Sequence, residues 1–399
     1  MTEVHEAEAL ILERAPRART RREPLEAAVG RVLAEPVFAE RDQPPFDRVT
    51  MDGIAVAFSD WTAGMRRFEI AGTQAAGAAP LAVEQLGRCI EVMTGAMLPP
   101  GTDTIIPVER IRRDGDAAEV QADAPVAARQ FVHARGSDRT AGSPLLAPGT
   151  RIGPAEMAVL ASAGAAEVLL AEPPRVAVIS TGDELVDVGE PLEPYQIRSS
   201  NERAIEASLL GHGLGTVTRA RLADDEHLLL DAIGRLHAQH DVLILSGGVS
   251  MGQFDYVPAV LERLGVELVF HKIQQRPGRP MWFGVTAQDK LVFALPGNPV
   301  SALVCLTRYV LPALRRSLGL PPAAPELAAL TAEVELTADL TYFMPVALRS
   351  SARGVLEAQP RPTNTSGDFI SLAGTDGLVE LPRARRRYEP GDVVRLFRW

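Results

Sequence analysis

The sequence predicts a multidomain protein of the α/β and β classes, in which a central α/β sheet domain is joined to β-rich domains. The chain has 399 residues, which is too long for one compact core, and its hydrophobic content of 46% can fill several cores. Between about residues 171 and 319, short apolar runs alternate with helical patterns, which indicates a parallel sheet with crossover helices. Before and after this stretch, short strand patterns separated by turn residues predict β domains.

The elements before the central domain predict a first domain made of two chain segments. Helical periodicity occurs at residues 4–14, 24–34 and 154–163, and a strand pattern occurs at 167–170. These elements flank a β-rich insertion. The predicted domains are a discontinuous N-terminal α/β domain (1–40 with 140–170), the inserted β-rich domain (41–139), the central α/β domain (171–319) and a C-terminal β domain (320–399).

Three buried-strand patterns define the central domain. They lie at residues 175–179, 242–245 and 291–295, and helical patterns follow at 201–210, at 225–236 and from Pro299 to about Leu314. Asn298 is suited to the N-cap position of the last helix, with Pro299 as its first residue. The resulting βαβαβα order predicts a parallel sheet covered on both faces.

A glycine turn follows the second of these strands. Gly247 and Gly248 allow a close approach of the backbone to a ligand, and Asp255 lies just beyond them. Backbone N–H groups in such a turn can hold phosphate oxygens, while a carboxylate suits a hard divalent cation. Two alternatives remain open: a purely structural turn, and a nucleophile elbow with Ser250 as the nucleophile. The elbow requires an acid and then a histidine, and the only histidine after Ser250 is His271.

The other two strands also end in polar loops. Residues 180–184 and 296–299 follow them, so three loops are expected at the carboxyl edge of one sheet. Because ligands of open α/β sheets bind outside the carboxyl ends of the strands, these loops predict one crevice.

Six motifs resemble those of a known family. They are VTMDGIA at 49–55, MTGA at 93–96, STGDEL at 180–185, SGGVSMG at 246–252, RPGRP at 276–280 and LPGNPVS at 295–301. In this order and spacing they resemble the molybdopterin molybdenumtransferase family, which comprises the bacterial MoeA proteins and the E domains of gephyrin and its plant counterpart. The resemblance implies a MoaB/Mog-like central domain, an elongated N-terminal dimerisation domain and a C-terminal β-barrel-like domain.

The resemblance also implies an activity. Family members insert molybdate into adenylylated molybdopterin with Mg²⁺, releasing AMP and the molybdenum cofactor, and they act as cytoplasmic homodimers. The molybdopterin adenylyltransferase is a further candidate partner. Two other functions stay open: adenylylation itself, and a scaffold that binds the ligand without turning it over. The adenylyltransferases consist of the sheet domain alone, so the additional domains favour insertion.

The resemblance assigns roles to particular residues. The implied catalytic residues are Asp52, Thr94, Glu184 and Asp255, and the implied Mg²⁺ ligands are Asp224, Asp255 and Glu184. The implied substrate-binding residues are Asp138, Thr181, Gly248, Ser250, Lys272, Arg276, Arg279, Pro296, Asn298, Ser301 and Ser366. In the family, the positions of Asp52, Thr94 and Asp138 meet the crevice of the partner subunit.

Some of these residues also have ordinary structural explanations. Lys272, Arg276 and Arg279 are typical of a solvated hairpin edge, and Asp52 with Gly53 is a common turn pair. One position departs from the family: Pro345 stands where most relatives carry an arginine that helps to bind molybdate. Arg349 or Arg353 are then candidates to supply the missing charge.

Charge and cysteine content exclude several function classes. The net charge of −10 argues against a nucleic-acid partner, because phosphate backbones require a basic surface. Cys89 and Cys305 are too few for a disulfide framework and lie in apolar patterns, so both are expected to be buried thiols. No signal peptide or run of about 18 apolar residues is present, which predicts a cytoplasmic protein without a membrane span.

Overall fold

The fold is described from a computed structural model, which covers residues 1–248 and 256–399. The chain forms two compact units. The first unit contains Met1–Glu35, Pro148–Gly153 and Glu167–Trp399, and the second contains Pro36–Ala147 and Pro154–Ala166. The four predicted domains are a finer division, and their boundaries stay a prediction.

The helices and strands follow one another along the chain as three groups. The first unit begins with α1 (Val4–Arg14), β1 (Thr20–Pro24) and a 3₁₀ turn (Leu25–Ala27). The second unit contains β2 (Val37–Phe38), β3 (Arg48–Val49), β4 (Gly53–Val56), α2 (Phe58–Thr62), β5 (Arg67–Gln74), β6 (Arg88–Val92), β7 (Thr104–Pro107), a 3₁₀ turn (Val108–Arg110), β8 (Ile111–Asp114), β9 (Ala117–Val120), β10 (Val132–His133), β11 (Pro144–Leu146) and α3 (Pro154–Ser162). The first unit continues with β12 (Glu167–Ala171), β13 (Arg175–Thr181), β14 (Leu185–Val186), β15 (Ile197–Arg198), α4 (Asn201–His212), β16 (Thr216–Leu222), α5 (Glu226–Gln239), β17 (Val242–Ser246), α6 (Val257–Arg263), β18 (Val266–His271), β19 (Gln275–Arg276), β20 (Trp282–Thr286), β21 (Leu291–Leu295), α7 (Pro299–Cys305), a π-helical segment (Leu306–Val310), α8 (Leu311–Ser317), β22 (Glu326–Leu330), β23 (Val334–Glu335), β24 (Thr341–Ser350), β25 (Leu356–Pro360), a 3₁₀ turn (Phe369–Leu372), β26 (Gly377–Leu381), β27 (Arg387–Tyr388) and β28 (Val393–Arg398).

The predicted central sheet is present in the first unit. Its strand order is β16-β13-β17-β21-β20-β18, with the first four strands parallel and the last two antiparallel. A topological switch point lies between β13 and β17. After β13 the chain adds β16 on one side of β13 and then crosses back to add β17 on the other side. Such a switch point opens a crevice at the carboxyl ends of the two strands.

Apolar runs fill both faces of this sheet, as expected for parallel strands covered by helices. Val176 and Val178 of β13 join a core with α1, α4 and α7, whereas Ala177 and Ile179 join another core with α5 and α6. This alternation follows from the two-residue period of a strand. It explains why the strands are continuous apolar runs rather than alternating patterns.

A closed barrel forms the C-terminal part of the first unit. Its strands pair in the order β24-β25-β22-β28-β26, and β26 pairs again with β24 to close the ring. The interior contains residues such as Val346, Ala358 and Val379, all of them buried. The multidomain fold class, with a central α/β domain and a C-terminal barrel, is therefore confirmed.

The predicted helix at residues 24–34 is wrong. Residues Thr20–Pro24 instead pair antiparallel with Glu167–Ala171, and only the short 3₁₀ turn Leu25–Ala27 follows. Gly30 adopts a left-handed conformation with φ of 75°, which interrupts any helix there. The other three predictions for this region are confirmed, because α1, α3 and β12 form at the expected positions.

The second unit contains the predicted β-rich insertion. Its main sheet has the order β7-β4-β6-β5-β9-β8, and most neighbouring strands are antiparallel. Cys89 of β6 is fully buried in its core, where burial raises the pKa of the thiol to about 12. Cys305 is likewise free and buried in the first unit, so the prediction of two buried thiols is confirmed.

A buried arginine joins three parts of the first unit. Arg308 lies in the π-helical segment, its side chain is 1% exposed, and its Nη1 lies 2.8 Å from Oε1 of Glu8 in α1. Its Nε lies 3.6 Å from Oε2 of Glu380 in β26, and its guanidinium lies 4.9 Å from the ring centre of Phe397. One cation thus links the N-terminal helix, the central domain and the barrel.

Across residues 1–248 and 256–399, none of the helices combines the length and the apolar character that crossing a membrane requires.

Candidate functional site

Four loops of the first unit meet at one edge of the central sheet. The parallel strands β16, β13, β17 and β21 lie side by side and end at Leu222, Thr181, Ser246 and Leu295. The loops after these ends carry Asp224, Glu184, Gly248 and Asn298, all of which the sequence predicted as site residues. The prediction that three polar loops lie at one edge of the sheet is confirmed. A fourth loop, after β16, lies at the same edge.

The loops after β13 and β17 are in close contact at the switch point. A Cβ atom at Gly247, where φ is 101°, would lie 2.5 Å from the carbonyl oxygen of Thr181. A Cβ at Gly248 would lie 3.0 Å from Oγ1 of Thr181. Only glycine fits this approach, so the two glycines are needed for the loops to meet. The Thr181 hydroxyl is buried and has no hydrogen-bond partner among the described residues, which leaves it free for a ligand.

Asn201 ties two of the loops together. Its Nδ2 donates to Oγ of Ser246 at 2.7 Å and to the carbonyl oxygen of Gly297 at 2.8 Å. The side-chain amide therefore uses both of its N–H donors to hold the ends of β17 and β21 at a fixed separation. Asn201 is the first residue of α4, so the helix fixes the position of this side chain.

Carboxylates gather at the other end of the crevice edge. Glu184 is exposed and Asp224 is half-buried, and the backbone N–H of Asp224 donates to Oδ1 of Asp183 at 3.1 Å. The predicted site residues Ser250 and Asp255 lie outside the described residues. Within residues 1–248 and 256–399, no group of three or more histidine, cysteine, aspartate or glutamate side chains is arranged to hold a metal ion.

A pocket of about 470 Å³ adjoins the loop after β21. It is lined by six of the predicted residues, namely Arg276, Arg279, Pro296, Asn298, Ser301 and Ser366. The two arginines are its only charged lining groups within the described part of the chain, and several hydroxyl groups surround them. The backbone N–H of Val300 donates to the carbonyl oxygen of Ser366 at 3.1 Å, which joins the loop containing Ser366 to the start of α7. A positively charged pocket with hydroxyl donors is suited to an oxyanion.

The barrel also contacts the segment that carries Arg276. The short strand β19 pairs in parallel with Thr341 and Tyr342 of β24, and Nη1 of Arg276 donates to the Tyr342 hydroxyl at 3.4 Å. Partial burial alone would raise the pKa of Tyr342, but the hydrogen bonds from Thr337 and Arg276 and the charge of Arg276 outweigh it and lower the pKa. Arg276 is therefore held where two parts of the first unit meet.

Gln275 fixes the backbone next to Arg276. Its side chain is fully buried, its Nε2 donates to the carbonyl oxygen of Pro277 at 2.9 Å, and its Oε1 accepts from the hydroxyl of Tyr309. Side-chain bonds of this kind hold the turn that presents Arg276 and Arg279 to the pocket. Arg279 is itself exposed, and its Nε lies 3.2 Å from the sulfur of Met1.

Lys272 takes a different position from the two arginines. The spacing of four residues between Lys272 and Arg276 predicts that both lie on one face of a strand. This prediction is wrong, because β18 ends at His271 and Lys272 has a left-handed backbone with φ of 74°. Lys272 does not line the 470 Å³ pocket. Its proposed role toward substrate stays a prediction.

Pro345 lines the same pocket, at the position where the family pattern expects an arginine. It belongs to β24 and pairs with Leu378 of β26. Neither replacement proposed for the missing charge lies in this pocket. Nε of Arg349 instead donates to Oε2 of Glu357 at 2.7 Å on the barrel surface, and Arg353 lies in the exposed turn after β24. The pocket therefore relies on Arg276 and Arg279 for its charge.

The second unit contains a separate pair of predicted residues. Asp52 precedes β4 and Thr94 follows β6, and Oδ1 of Asp52 accepts both from the backbone N–H and from Oγ1 of Thr94, each at 2.6 Å. These hydrogen bonds, first from the hydroxyl and then from the backbone, lower the pKa of Asp52. The carboxylate is exposed and lines a pocket of about 240 Å³. The Asp-Gly pair therefore does more than form a turn, because its carboxylate holds the motif at residues 93–96.

Asp138 is bound to a different group of the second unit. Its Oδ1 lies 2.8 Å from Nε2 of His133, and Nδ1 of the same ring lies 3.1 Å from Nη2 of Arg48. His133 and Arg48 face each other in the pairing of β10 with β3. Asp138 does not line the pocket of Asp52.

Sequence reasoning missed Asn201, Gln275 and Tyr342 as supporting residues. Asn201 was visible only as the start of a helix. The contact of β19 with β24 joins segments that lie far apart along the chain, so no local sequence pattern predicts it.

Known protein families match three successive regions of the chain. Family models match residues 2–164 ("MoeA N-terminal region (domain I and II)"), 177–316 ("Probable molybdopterin binding domain") and 328–398 ("MoeA C-terminal region (domain IV)"). A molybdopterin molybdenumtransferase from a Synechocystis species is 38% identical over 376 residues, which is 94% of each chain. Another, from Bacillus subtilis, is 32% identical over 94% of this chain and 88% of its own length.

Solved structures give a similar result. Two crystal structures of the molybdopterin biosynthesis MoeA protein from Pyrococcus horikoshii cover 100% of this chain and 99% and 100% of theirs, with TM-scores of 0.85 and 0.84 at 31% and 27% identity. The family models, the curated relatives and these structures all span nearly the whole chain. From motifs, fold and these relatives together, the chain belongs to the molybdopterin molybdenumtransferase family.

Proposed function

We propose that this protein is the enzyme that inserts molybdate into adenylylated molybdopterin, with Mg²⁺-dependent release of AMP, to give the molybdenum cofactor. The proposal rests on one observation above all. The 470 Å³ pocket presents Arg276 and Arg279 with hydroxyl donors at the same sheet edge that carries the loops of Thr181 and Glu184. An anion site and a carboxylate-bearing edge on one sheet match a reaction between an oxyanion and a phosphorylated pterin.

The pocket is the candidate site for molybdate. Molybdate is a dianion with four oxygens, and the guanidinium groups of Arg276 and Arg279 offer planar donors for two of them. Ser301 and Ser366 add hydroxyl groups that can donate to the others. Because no carboxylate lines this pocket within the described residues, an incoming anion meets no repulsive charge there.

The switch point is the candidate site for the phosphates of the adenylylated substrate. The Thr181 hydroxyl is buried without a described partner, and Gly247 and Gly248, both with positive φ, let their turn pack directly against Thr181. Both features are typical of a turn that receives a phosphate oxygen. This arrangement supports the roles expected for Thr181 and Gly248.

Mg²⁺ fits the carboxylate end of this edge. Glu184 and Asp224 provide hard oxygen donors, and Mg²⁺ commonly needs only one or two carboxylates because it keeps several waters and binds substrate phosphates. We expect Asp255 to be a third ligand. A cation bound there would neutralise charge that develops on phosphate oxygens during cleavage of the phosphoanhydride.

We further propose that a homodimer completes the site. Asp52, Thr94 and Asp138 lie in the second unit, and the family pattern assigns them to the crevice of the partner subunit.

The other functions considered have weaker support. The relatives that match 94% of the chain are named molybdenumtransferases, which favours insertion over adenylylation or ester hydrolysis. The cytoplasm is the expected location.

The test is a defined reaction of the purified protein. Adenylylated molybdopterin, Mg²⁺ and molybdate are mixed with the full chain, and AMP release is measured together with reconstitution of a cofactor-free molybdoenzyme. We expect molybdate-dependent AMP release and reconstitution, and we expect Arg276→Gln to require more molybdate for half-maximal release. Tight binding without AMP release would instead identify a binding protein, and the absence of binding would contradict the proposed site.

Arg353→Gln is the matched control for Arg276→Gln. It removes the same charge from the exposed barrel turn outside the pocket. An equal increase in the molybdate requirement of both variants would show that general charge, rather than the pocket, attracts the oxyanion.

A further inference from the structure

Another pocket lies at the opposite edge of the central sheet, where the parallel strands begin. It has a volume of about 610 Å³, and its lining includes Arg175, Thr216 and Val242, the first residues of β13, β16 and β17. The strands are five to seven residues long. At about 3.3 Å per residue, roughly 16–23 Å separates this pocket from the crevice, so the two are distinct places. We call it the basic pocket.

The basic pocket has the opposite charge from the protein as a whole. Its lining contains six cationic side chains, namely Arg17, Arg19, Arg21, Arg31, Arg175 and Lys290, and three carboxylates, namely Glu172, Asp241 and Asp289. Six minus three gives a formal charge of +3, whereas the complete chain has a net charge of −10. A local concentration of positive charge attracts anions even when the protein is acidic overall.

Two of the carboxylates are already engaged by neighbouring arginines. Asp241 accepts from Nη2 of Arg175 at 2.8 Å and from Nη2 of Arg19 at 3.3 Å. Glu172 lies 3.7 Å from the guanidinium groups of both Arg19 and Arg21. These carboxylates therefore compensate the arginines that they contact, and Asp289 is the one further lining carboxylate, among the described residues, for the other three cations.

Arg17, Arg31 and Lys290 form no ion pair with a carboxylate in the described part of the chain. Arg31 donates from Nη2 to the carbonyl oxygen of Ala171 at 3.0 Å, but its buried Nε finds no acceptor among the described residues. Within residues 1–248 and 256–399, Lys290 donates to the neutral carbonyl oxygens of His237 and Ala238 and to no carboxylate. Three cations thus surround the basic pocket with unused donor capacity.

The surroundings of Lys290 disfavour its charged form and lower its pKa. Burial lowers the pKa of its ammonium group, Asp241 opposes that effect, and Arg175 adds to it. A bound anion would offset both the cost of desolvation and the repulsion from Arg175, so the surroundings favour an anionic ligand.

We propose that the basic pocket binds a small polyanion, with the di- or triphosphate group of a phosphorylated metabolite as the chemical class. Its volume lies within the range of about 300–1,000 Å³ that is usual for small-molecule sites. Arginine and lysine donors from separate segments converge on it, which suits a ligand with several charged oxygens. This site is separate from the proposed molybdate pocket and needs no assumption about the reaction.

The experiment separates the basic pocket from the proposed molybdate pocket, and the Arg17 and Lys290 substitutions separate it from the switch point. Calorimetric titration with inorganic pyrophosphate, at fixed ionic strength and without Mg²⁺, is performed on the full chain carrying Arg276→Gln and Arg279→Gln. We expect this protein to bind the probe. Adding Arg17→Gln and Lys290→Gln should weaken binding at least about tenfold, because two charge-assisted contacts are lost.

A matched pair of substitutions controls for net charge. Arg67→Gln and Arg387→Gln also remove two positive charges, but from exposed ion pairs outside the basic pocket, and should leave the affinity unchanged. Arg17→Gln alone should weaken binding without affecting the fold, because Arg17 is exposed. Absence of binding in the background protein, or equal weakening by both pairs, would overturn the proposal. AMP release by the unmodified chain tests the proposed function independently.

Discussion

The amide of Asn201 lies 2.7 Å from the hydroxyl oxygen of Ser246 and, with its second N–H, binds the loop that follows β21. One side chain therefore sets the distance between the glycine turn and the loop that begins α7. An aspartate has the same shape but donates no hydrogen bond when ionised.

Asn201→Asp should therefore slow molybdate-dependent AMP release by about tenfold or more while destabilising the fold by only about 1–3 kcal/mol, because two loops lose a shared tether. Steady-state turnover and urea unfolding measure the two effects. Gln359→Glu makes the same amide-to-carboxylate change on the exposed surface of the barrel, outside the pocket, and serves as a comparison. Turnover that stays at the wild-type rate in Asn201→Asp would contradict a positioning role.

The Asp52 carboxylate offers a prediction about pH. Its pKa is lowered by the hydroxyl and then by the backbone N–H of Thr94. A carboxyl group whose folded-state pKa is lowered stabilises the fold above its ordinary pKa, and this contribution is lost as the pH falls through the lowered value. Thr94→Val removes the stronger of the two bonds, so the pKa of Asp52 should rise while remaining below its ordinary value.

Carbon-detected NMR titration of the side-chain carboxyl groups measures this change. Asp47 provides an internal control, because its pKa is lowered by the backbone N–H of Arg135 and by Arg129 rather than by Thr94. The idea fails if Asp52 titrates identically in both proteins, or if Asp47 moves by the same amount.

The proposed shared site can be tested by mixing two variants, Asp52→Asn and Arg276→Gln, at a molybdate concentration that supports wild-type AMP release but is too low for Arg276→Gln. If Asp52 of one subunit acts in the crevice of the other, an Asp52→Asn subunit paired with an Arg276→Gln subunit contains one intact site. Random exchange makes half of the dimers mixed, so about a quarter of the wild-type activity should return. AMP release before and after subunit exchange provides the measurement. If the site lay within one subunit, every site in the mixture would be defective and no activity would return.

Arg308 leads to a prediction about stability. Its replacement by methionine leaves the partly buried Glu8 without a cation and Glu380 with Arg395 alone, at 3.7 Å, among the described residues, which should destabilise the first unit by about 3 kcal/mol. Arg235→Met breaks an exposed pair with Asp231 and should cost less than about 1 kcal/mol.

Urea unfolding followed by tryptophan fluorescence distinguishes these cases. In a Trp61→Phe background only Trp282 and Trp399 report, and both belong to the first unit. Adding Glu8→Gln to Arg308→Met should restore part of the loss, because the uncompensated charge of Glu8 disappears. Equal stability of the Arg308→Met and Arg235→Met proteins would contradict a buried ionic link.

The sequence predicted those parts of the molecule whose signals are local. The runs at 242–245 and 291–295 are buried strands because both faces of the sheet are covered, and parallel strands necessarily bring their following loops to one edge. The apolar periodicity of residues 24–34 was misleading, because pairing of the preceding strand with Glu167–Ala171 overrode the helical preference. The Gln275 and Tyr342 contacts depend on β19 meeting the barrel, which only the folded chain reveals.

The pairing of β1 with β12 also sets an order of events during synthesis. Thr20 pairs with Ala171, whereas the main sheet of the second unit is complete at Val120. A ribosome adding about 5–20 residues per second delays the first pairing by several seconds relative to the second unit. The N-terminal strand must therefore stay unpaired while the intervening unit folds, and this interval exposes the nascent chain to chaperones and to mispairing.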